Sequence, residues 1–204
     1  MSTEATAQSH STPTTLRALL EAGADASAIA EHLKGMPKQE RYAEALGLTT
    51  KRVGMLYDAC AGAEMTGADF VPEDTADGDP IIHQGRNSLP MFNDFQKRFA
   101  RMSSGEIVGY NHQAMAWLTG PGYFVLREAH PESDVPEELY LDYTSQPETW
   151  PEHWPTFKAN DSGLSNLVYK NMKDYMRLVA EGVSVGKAYK LGKSQDQFFI
   201  LCRQ

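Results

Sequence analysis

Imidazole beside carboxylate is a common acid–base or metal-binding combination, and the chain carries one candidate set, His83 and His112 with Asp142 and Glu128. At hydrogen-bond distance such groups could pass a proton, and four of them converging could hold a zinc ion. His83 and His112 each lie beside an expected strand, where a histidine satisfied by its neighbours is the plainer reading. The remaining histidines, His10, His32, His130 and His153, are spread over tail, helix and loops. No GxSxG, HExxH or strand-borne GxGxxG motif is present. Gly182-Val-Ser-Val-Gly186-Lys187 has three residues between its glycines and Ala188 in place of Ser or Thr, so it is not a phosphate loop. Cys60 and Cys202 have no metal-ligand spacing and read as two small buried hydrophobes. Catalytic residues and cofactor therefore stay unassigned and no metal site is expected; an enzyme using His83 or His112 with Asp142 is one alternative function.

Ligand-binding chemistry is better represented. The stretch Gly105–Ala129 reads as two extended segments joined by Thr119-Gly120-Pro121-Gly122. Alternation puts Tyr110, His112, Ala114, Ala116 and Leu118 on one face of the first segment, and Asn111, Gln113, Met115 and Trp117 on the other. Both faces mix apolar and polar groups, as the wall of a ligand pocket does. Downstream, Trp150-Pro151 and Trp154-Pro155 repeat at a four-residue step in a long loop that could cover such a pocket. The candidate ligand-binding set is Tyr110, His112, Trp117, Asp142, Trp150 and Trp154, for a small, partly apolar or lipid-like molecule.

The elements that must position these residues fall into four stretches. Residues 1–13 form a polar tail with nothing to bury. Residues 14–61 carry helical periodicity, capped at Thr14 or Thr15 and again at Asp25 or Ser27. Within them, Gln39–Leu56 resembles a helix-turn-helix unit: Ala43 four residues before Gly47, Leu46 and Leu48 beside it, then Val53 and Leu56. Gly47 would supply a left-handed turn, and the second helix would present Thr50, Lys51 and Arg52 outward as candidate DNA contacts. That gives a second alternative function, a transcription regulator with a downstream sensor. Six basic residues balance six acidic ones between Thr14 and Gly62, however. DNA affinity draws on a concentrated basic face, so docking of a protein partner is the preferred role for this unit.

Residues 62–80 hold Glu64, Asp69, Glu73, Asp74, Asp77 and Asp79 with no Lys or Arg, six of the chain's eight net negative charges. They read as an acidic linker. Residues 81–204 are expected to form an α+β domain. Leu89–Met102 carries Phe92, Phe95 and Phe99 at helical spacing, and the run from Ser162 to Gly182 repeats apolar residues likewise. Strands are expected at 81–83, at both arms of the Gly105–Ala129 hairpin, at Glu138–Thr144, at Val183–Lys190 and at Gln197–Arg203. The predicted fold class is thus a small all-α, helix-turn-helix-like unit plus a curved antiparallel sheet of about five strands packed with two helices. No secretory leader pattern and no run of about 20 apolar residues is visible, so a cytoplasmic location is expected. The leading expectation is a non-enzymatic protein that binds a small ligand under a loop and docks a partner through residues 14–61.

Overall fold

In the computed structural model, residues 14–87, 94–113 and 119–204 are described. Eight strands form a closed antiparallel barrel in which each pairs with its sequence neighbour and the first with the last. They are β1 (Ile81–Asn87), β2 (Asp94–Arg101), β3 (Ile107–His112), β4 (Tyr123–Arg127), β5 (Tyr140–Asp142), β6 (Met172–Ala180), β7 (Val183–Lys190) and β8 (Lys193–Arg203). Closure is made by β1 on β8, in register from His83↔Arg203 to Asn87↔Phe199.

Because side chains alternate along a strand, the register fixes which residues face the lumen. On β2 these are Phe95, Lys97 and Phe99, opposite Gly85, His83 and Ile81 of β1. Gly109 and Asn111 of β3, Phe124 of β4, Leu141 of β5, Asp174 of β6, Gly186 of β7 and Phe199 of β8 share that face. Three lumenal glycines each lie in register with a phenylalanine on the next strand: Gly85 with Phe95, Gly109 with Phe124, Gly186 with Phe199. In every case a Cβ on the glycine would collide with that ring. The missing side chains are what let three large rings fit inside so narrow a barrel.

Helices cover the outside and one end. α1 (Leu16–Glu21) and α2 (Ala26–Lys34) are capped by Thr15 and Asp25, whose side chains accept from the Ala18 and Ala28 amides. With α3 (Lys38–Leu46) and α4 (Thr50–Ala59) they lie against β6, β7 and β8. Leu16, Ile29, Leu33, Val53 and Leu56 form one core with the outward-facing Val179, Val183, Val185, Ile200 and Cys202. A partly buried ion pair reinforces this seam. Arg177 Nε donates to Glu138 at 2.7 Å and its Nη1 to the Tyr57 carbonyl, while the Tyr57 hydroxyl donates to Glu138 at 2.7 Å. α5 (Gly67–Phe70) plugs the end of the barrel, with Phe70 against Phe99 at 4.8 Å between ring centroids. A further turn of helix, α6 (Ser165–Val168), lies in the connection between β5 and β6.

This architecture corrects the expected fold class. The chain is a β-barrel, with six short helices among the described residues, and not an α+β protein with about five strands and a helical unit. Two segments expected to be helical are strands: Leu89–Met102 contains β2, its residues 89–93 lying outside the described ones, and Ser162–Gly182 contains β6 after the single turn α6. The helix-turn-helix reading also fails. α3 packs on β8 and α4 on β7, β8 and α1. Gly47 has φ −78°, so it makes no left-handed turn. Glycine is required there because a Cβ would stand 2.8 Å from the Ala43 carbonyl oxygen.

Candidate functional site

Inside the half of the barrel away from α5, three strands and the residue just past β5 bring four polar side chains to one point. Lys97 Nζ donates to Asn111 Oδ1 at 2.9 Å, to Asp174 Oδ2 at 3.0 Å, and to the Tyr143 hydroxyl. Tyr143 is the first residue past β5 and keeps the lumenal alternation of Leu141. Asn111 and Tyr143 also bond each other, Asn111 Nδ2 donating to the hydroxyl at 3.1 Å. Lys97 is 3% exposed and Asp174 5%. Around the ammonium stand the rings of Phe199, Phe124, Tyr143 and Phe95, with centroids 5.0, 5.1, 5.1 and 5.6 Å away.

A lysine so placed is held between opposing effects. Burial pushes its pKa below the ordinary lysine value, while the Asp174 carboxylate pulls it back up. Burial and then the Asp174 charge raise the Tyr143 phenol well above its usual range. The group therefore holds a neutral phenol that donates or accepts a hydrogen bond, beside a buried lysine–carboxylate pair in which desolvation of the lysine is the larger effect. Asp174 Oδ2 takes the bonds from Lys97 and Tyr143, and among the described residues none donates to its Oδ1.

These polar groups line a cavity of about 140 Å³. Its other walls include Phe95, Val168, Met172, Ala188 and Phe199, with Gln113 and Tyr169 near the opening. Gln113 donates to the Tyr169 hydroxyl at 2.9 Å, and burial raises that phenol to about 12. For scale, a dry cavity of about 150 Å³ accommodates a single benzene ring. A second hollow of about 250 Å³ lies among the loops after β5, lined by Tyr143 to Gln146, Phe157, Asn160 and Lys170. It contains no buried ion pair, so the lumenal cavity is the better candidate site.

The sequence-derived site residues are dispersed relative to this cavity. Tyr110 stands on the outer face of β3, stacked edge-on against Trp154 at 4.9 Å. Trp150 and Trp154 lie with Phe157 over the outside of β3 and β4, and the Tyr123 hydroxyl donates to the Pro155 carbonyl at 2.6 Å. The tryptophan loop thus covers the barrel wall at Tyr110 and Tyr123. His112 faces outward and exposed, next to Tyr110. Asp142 also faces outward, and its carboxylate accepts from the Thr144 amide and hydroxyl and from Ser145. His83 points into the plugged end, where Nε2 bonds the Phe70 carbonyl at 2.9 Å and Nδ1 has no partner. Burial lowers its pKa to about 4. The structure therefore does not bring His83, His112 and Asp142 together. Trp117 lies outside the described residues.

Of the candidate DNA contacts, Thr50 opens α4 and Lys51 is exposed beside it. Arg52 is paired back onto α1, its Nε donating to Glu21 at 3.1 Å. Among the described residues no group of His, Cys, Asp and Glu is arranged to hold a metal ion, and no helix is long and apolar enough to cross a membrane.

Sequence reasoning missed Lys97, Asp174, Asn111 and Tyr143 as a set. The only signal available was a charged residue in the middle of each of two otherwise apolar stripes, Lys97 between Phe95 and Phe99 and Asp174 between Met172 and Met176. By architecture the molecule is a closed up-and-down antiparallel barrel. No protein-family model matches the chain, and no curated protein or solved structure matches it.

Proposed function

We propose that the barrel is a non-enzymatic binding protein for a small molecule of roughly one ring, apolar over most of its surface and carrying a hydroxyl or similar hydrogen-bonding group. The observation that carries this reading is the buried Lys97–Asp174 pair on the wall of a cavity whose other lining mixes aromatic and aliphatic side chains with a few amides. Eight-stranded barrels have an interior just wide enough to be filled by side chains or to hold one small ligand. Here glycines at 85, 109 and 186 let phenylalanine rings fill part of it, and the remaining space is next to the charges. The ligand's ring would lie against Phe95, Phe199 and Met172, and its hydroxyl would donate to Asp174 Oδ1. Fold likeness alone supports no activity, so the proposal rests on this constellation.

A fluorine NMR titration with 4-fluorophenol, paired with fluorobenzene, tests it. The phenol is expected to bind saturably and about tenfold or more tighter than the hydrocarbon, because the polar group is recognised by buried partners. Ala188→Phe, which fills the lumen beside Asp174, is expected to remove binding of both while the far-ultraviolet circular dichroism stays that of the wild type. Equal binding of the two probes, or binding unchanged in the folded Ala188→Phe variant, would overturn the assignment.

A further inference from the structure

We propose that the rim of the barrel mouth docks onto an anionic lipid bilayer through Leu164, Leu167 and Leu191. Among the described residues these are the large apolar side chains left exposed, at 43%, 73% and 71%. They are gathered at one place. Leu164 leads into α6, and the Leu167 amide donates to its carbonyl at 3.1 Å. Leu191 tops the β7–β8 hairpin, and its amide donates to the Asn171 carbonyl just beyond α6 at 3.1 Å. Lys190 Nζ ties the two parts together by donating to the Leu167 carbonyl at 2.9 Å. The adjoining Val168 and Tyr169 line the lumenal cavity, so the leucines border its opening.

Leu191 is the most informative of the three. With Gly192 it makes a two-residue hairpin turn in which both have positive φ, 53° and 73°. Such turns favour Asn, Asp or Gly at the first position, and a branched apolar residue there is uncommon. Within the chain this leucine gains little burial in return for that backbone. A surface outside the chain that covers it accounts for its presence.

Charge identifies that surface. Lys158, Lys170, Lys173, Lys187, Lys190 and Lys193 belong to the segments around these leucines, against Asp134, Asp161 and Asp196. Asp134 lies 3.7 Å from Lys173 and Asp196 3.8 Å from Lys187, which leaves the other four lysines in excess over Asp161. This is a local reversal of sign on a chain of net charge −8. Exposed leucines fringed by lysines are the pattern of a surface that enters the interface of an anionic membrane. Three leucines fall well short of the roughly 800 Å² per partner of a standard protein interface, which disfavours a second copy as the occupant. The docking rests on these surface features and not on the cavity reading. If both hold, the mouth opens toward the phase in which a partly apolar ligand dissolves.

Vesicle co-sedimentation of the full chain decides the matter. Wild type is expected to pellet at low salt with vesicles of equal parts phosphatidylcholine and phosphatidylglycerol, and to stay in solution with phosphatidylcholine alone. Lys170→Gln and Lys193→Gln are each expected to weaken retention about fivefold. Leu167→Asp should abolish it. Leu191→Asn places the residue favoured by the turn, so it should keep or raise the melting temperature while reducing retention, which separates docking from folding. Absence of wild-type retention on the anionic vesicles, or retention indifferent to both leucine variants, overturns the proposal. A dimer in solution that Leu191→Asn converts to monomer would assign the leucines to a second copy and overturn it equally. Loss of 4-fluorophenol binding with retention intact would remove only the cavity reading.

Discussion

A double-mutant cycle on Lys97 and Asp174 asks whether the buried pair serves stability or something else. The two groups are almost wholly excluded from solvent and 3.0 Å apart. Lys97→Met leaves the Asp174 carboxylate in an aromatic lumen with Tyr143 as its remaining donor. An uncompensated buried charge of this kind costs about 3–5 kcal/mol. Asp174→Leu should cost somewhat less, because the stranded lysine keeps Asn111 and Tyr143 as acceptors and burial already favours its neutral form. In Lys97→Met/Asp174→Leu, Asn111 and Tyr143 still satisfy each other, at 3.1 and 3.3 Å. Replacing a buried pair by apolar residues is often neutral or stabilising, so the double variant is expected within about 1 kcal/mol of wild type. The coupling energy between the positions is then at least about 3 kcal/mol. Urea unfolding at neutral pH, followed by circular dichroism with an unchanged slope, measures all four corners. Single variants that cost less than about 1 kcal/mol, or costs that simply add, would show that the pair is hydrated and that the low-dielectric reasoning is wrong. If the cycle behaves as expected, the double variant should also lose the preference for 4-fluorophenol over fluorobenzene. A charge pair that stability does not need would then be explained by recognition.

Two further outcomes follow from the plugged end and the lumen. His83 stays neutral in the fold down to about 4 but protonates near 6.5 when unfolded. Its contribution is therefore complete above 6.5 and is lost as pH falls from there toward 4, by up to about 3 kcal/mol. Urea midpoints of wild type and His83→Phe compared between neutral pH and pH about 4.5 should differ by a large part of that amount; parallel pH profiles would count against it. Gly186→Ala should destabilise by about 1–3 kcal/mol through overpacking, since its methyl meets Phe199 and lies 2.7 Å from Met176 Sδ. Gly186→Ala/Phe199→Leu should recover part of the loss in the same thermal melt, and no recovery would show that the ring is not the obstacle.

The most instructive departures from the sequence reading are β2 and β6. In β2 the lumenal face is Phe95, Lys97, Phe99, and in β6 it is Met172, Asp174, Met176. The charged residue at the centre of each interrupts the two-residue alternation and leaves apolar residues four apart, which is a helical interval. The segments misread as helices are thus the two that carry the buried pair. The candidate site and the wrong fold class have a common cause. The antiparallel pairing of β3 with β4 was legible within Gly105–Ala129, although residues 114–118 of the expected first arm lie outside the described ones. The mixed character of Tyr110 and Asn111 follows from the tryptophan loop on one side and the lumen on the other. What spacing alone did not show was which face looks inward. That choice depends on partners such as Asp174, 63 positions beyond Asn111.

The seam between β1 and β8 has a kinetic consequence. His83 and Arg203 are register partners separated by 120 positions, whereas every other pair of neighbouring strands is consecutive in the chain. Seven hairpin-like steps can form locally, while closing the ring must overcome the entropy of a loop spanning the whole barrel, so closure belongs late in folding. Until then β1 and β8 are open sheet edges able to pair with another molecule. α3 and α4, which precede the barrel in the chain, rest on β8. Arg86 of β1 reaches across to the Leu46 carbonyl at 2.9 Å, and the Tyr42 hydroxyl bonds the carbonyl of Arg203. The helical segment therefore works as a splint across the seam, and a chain shorn of it would be expected to assemble as open sheets before it completes a ring.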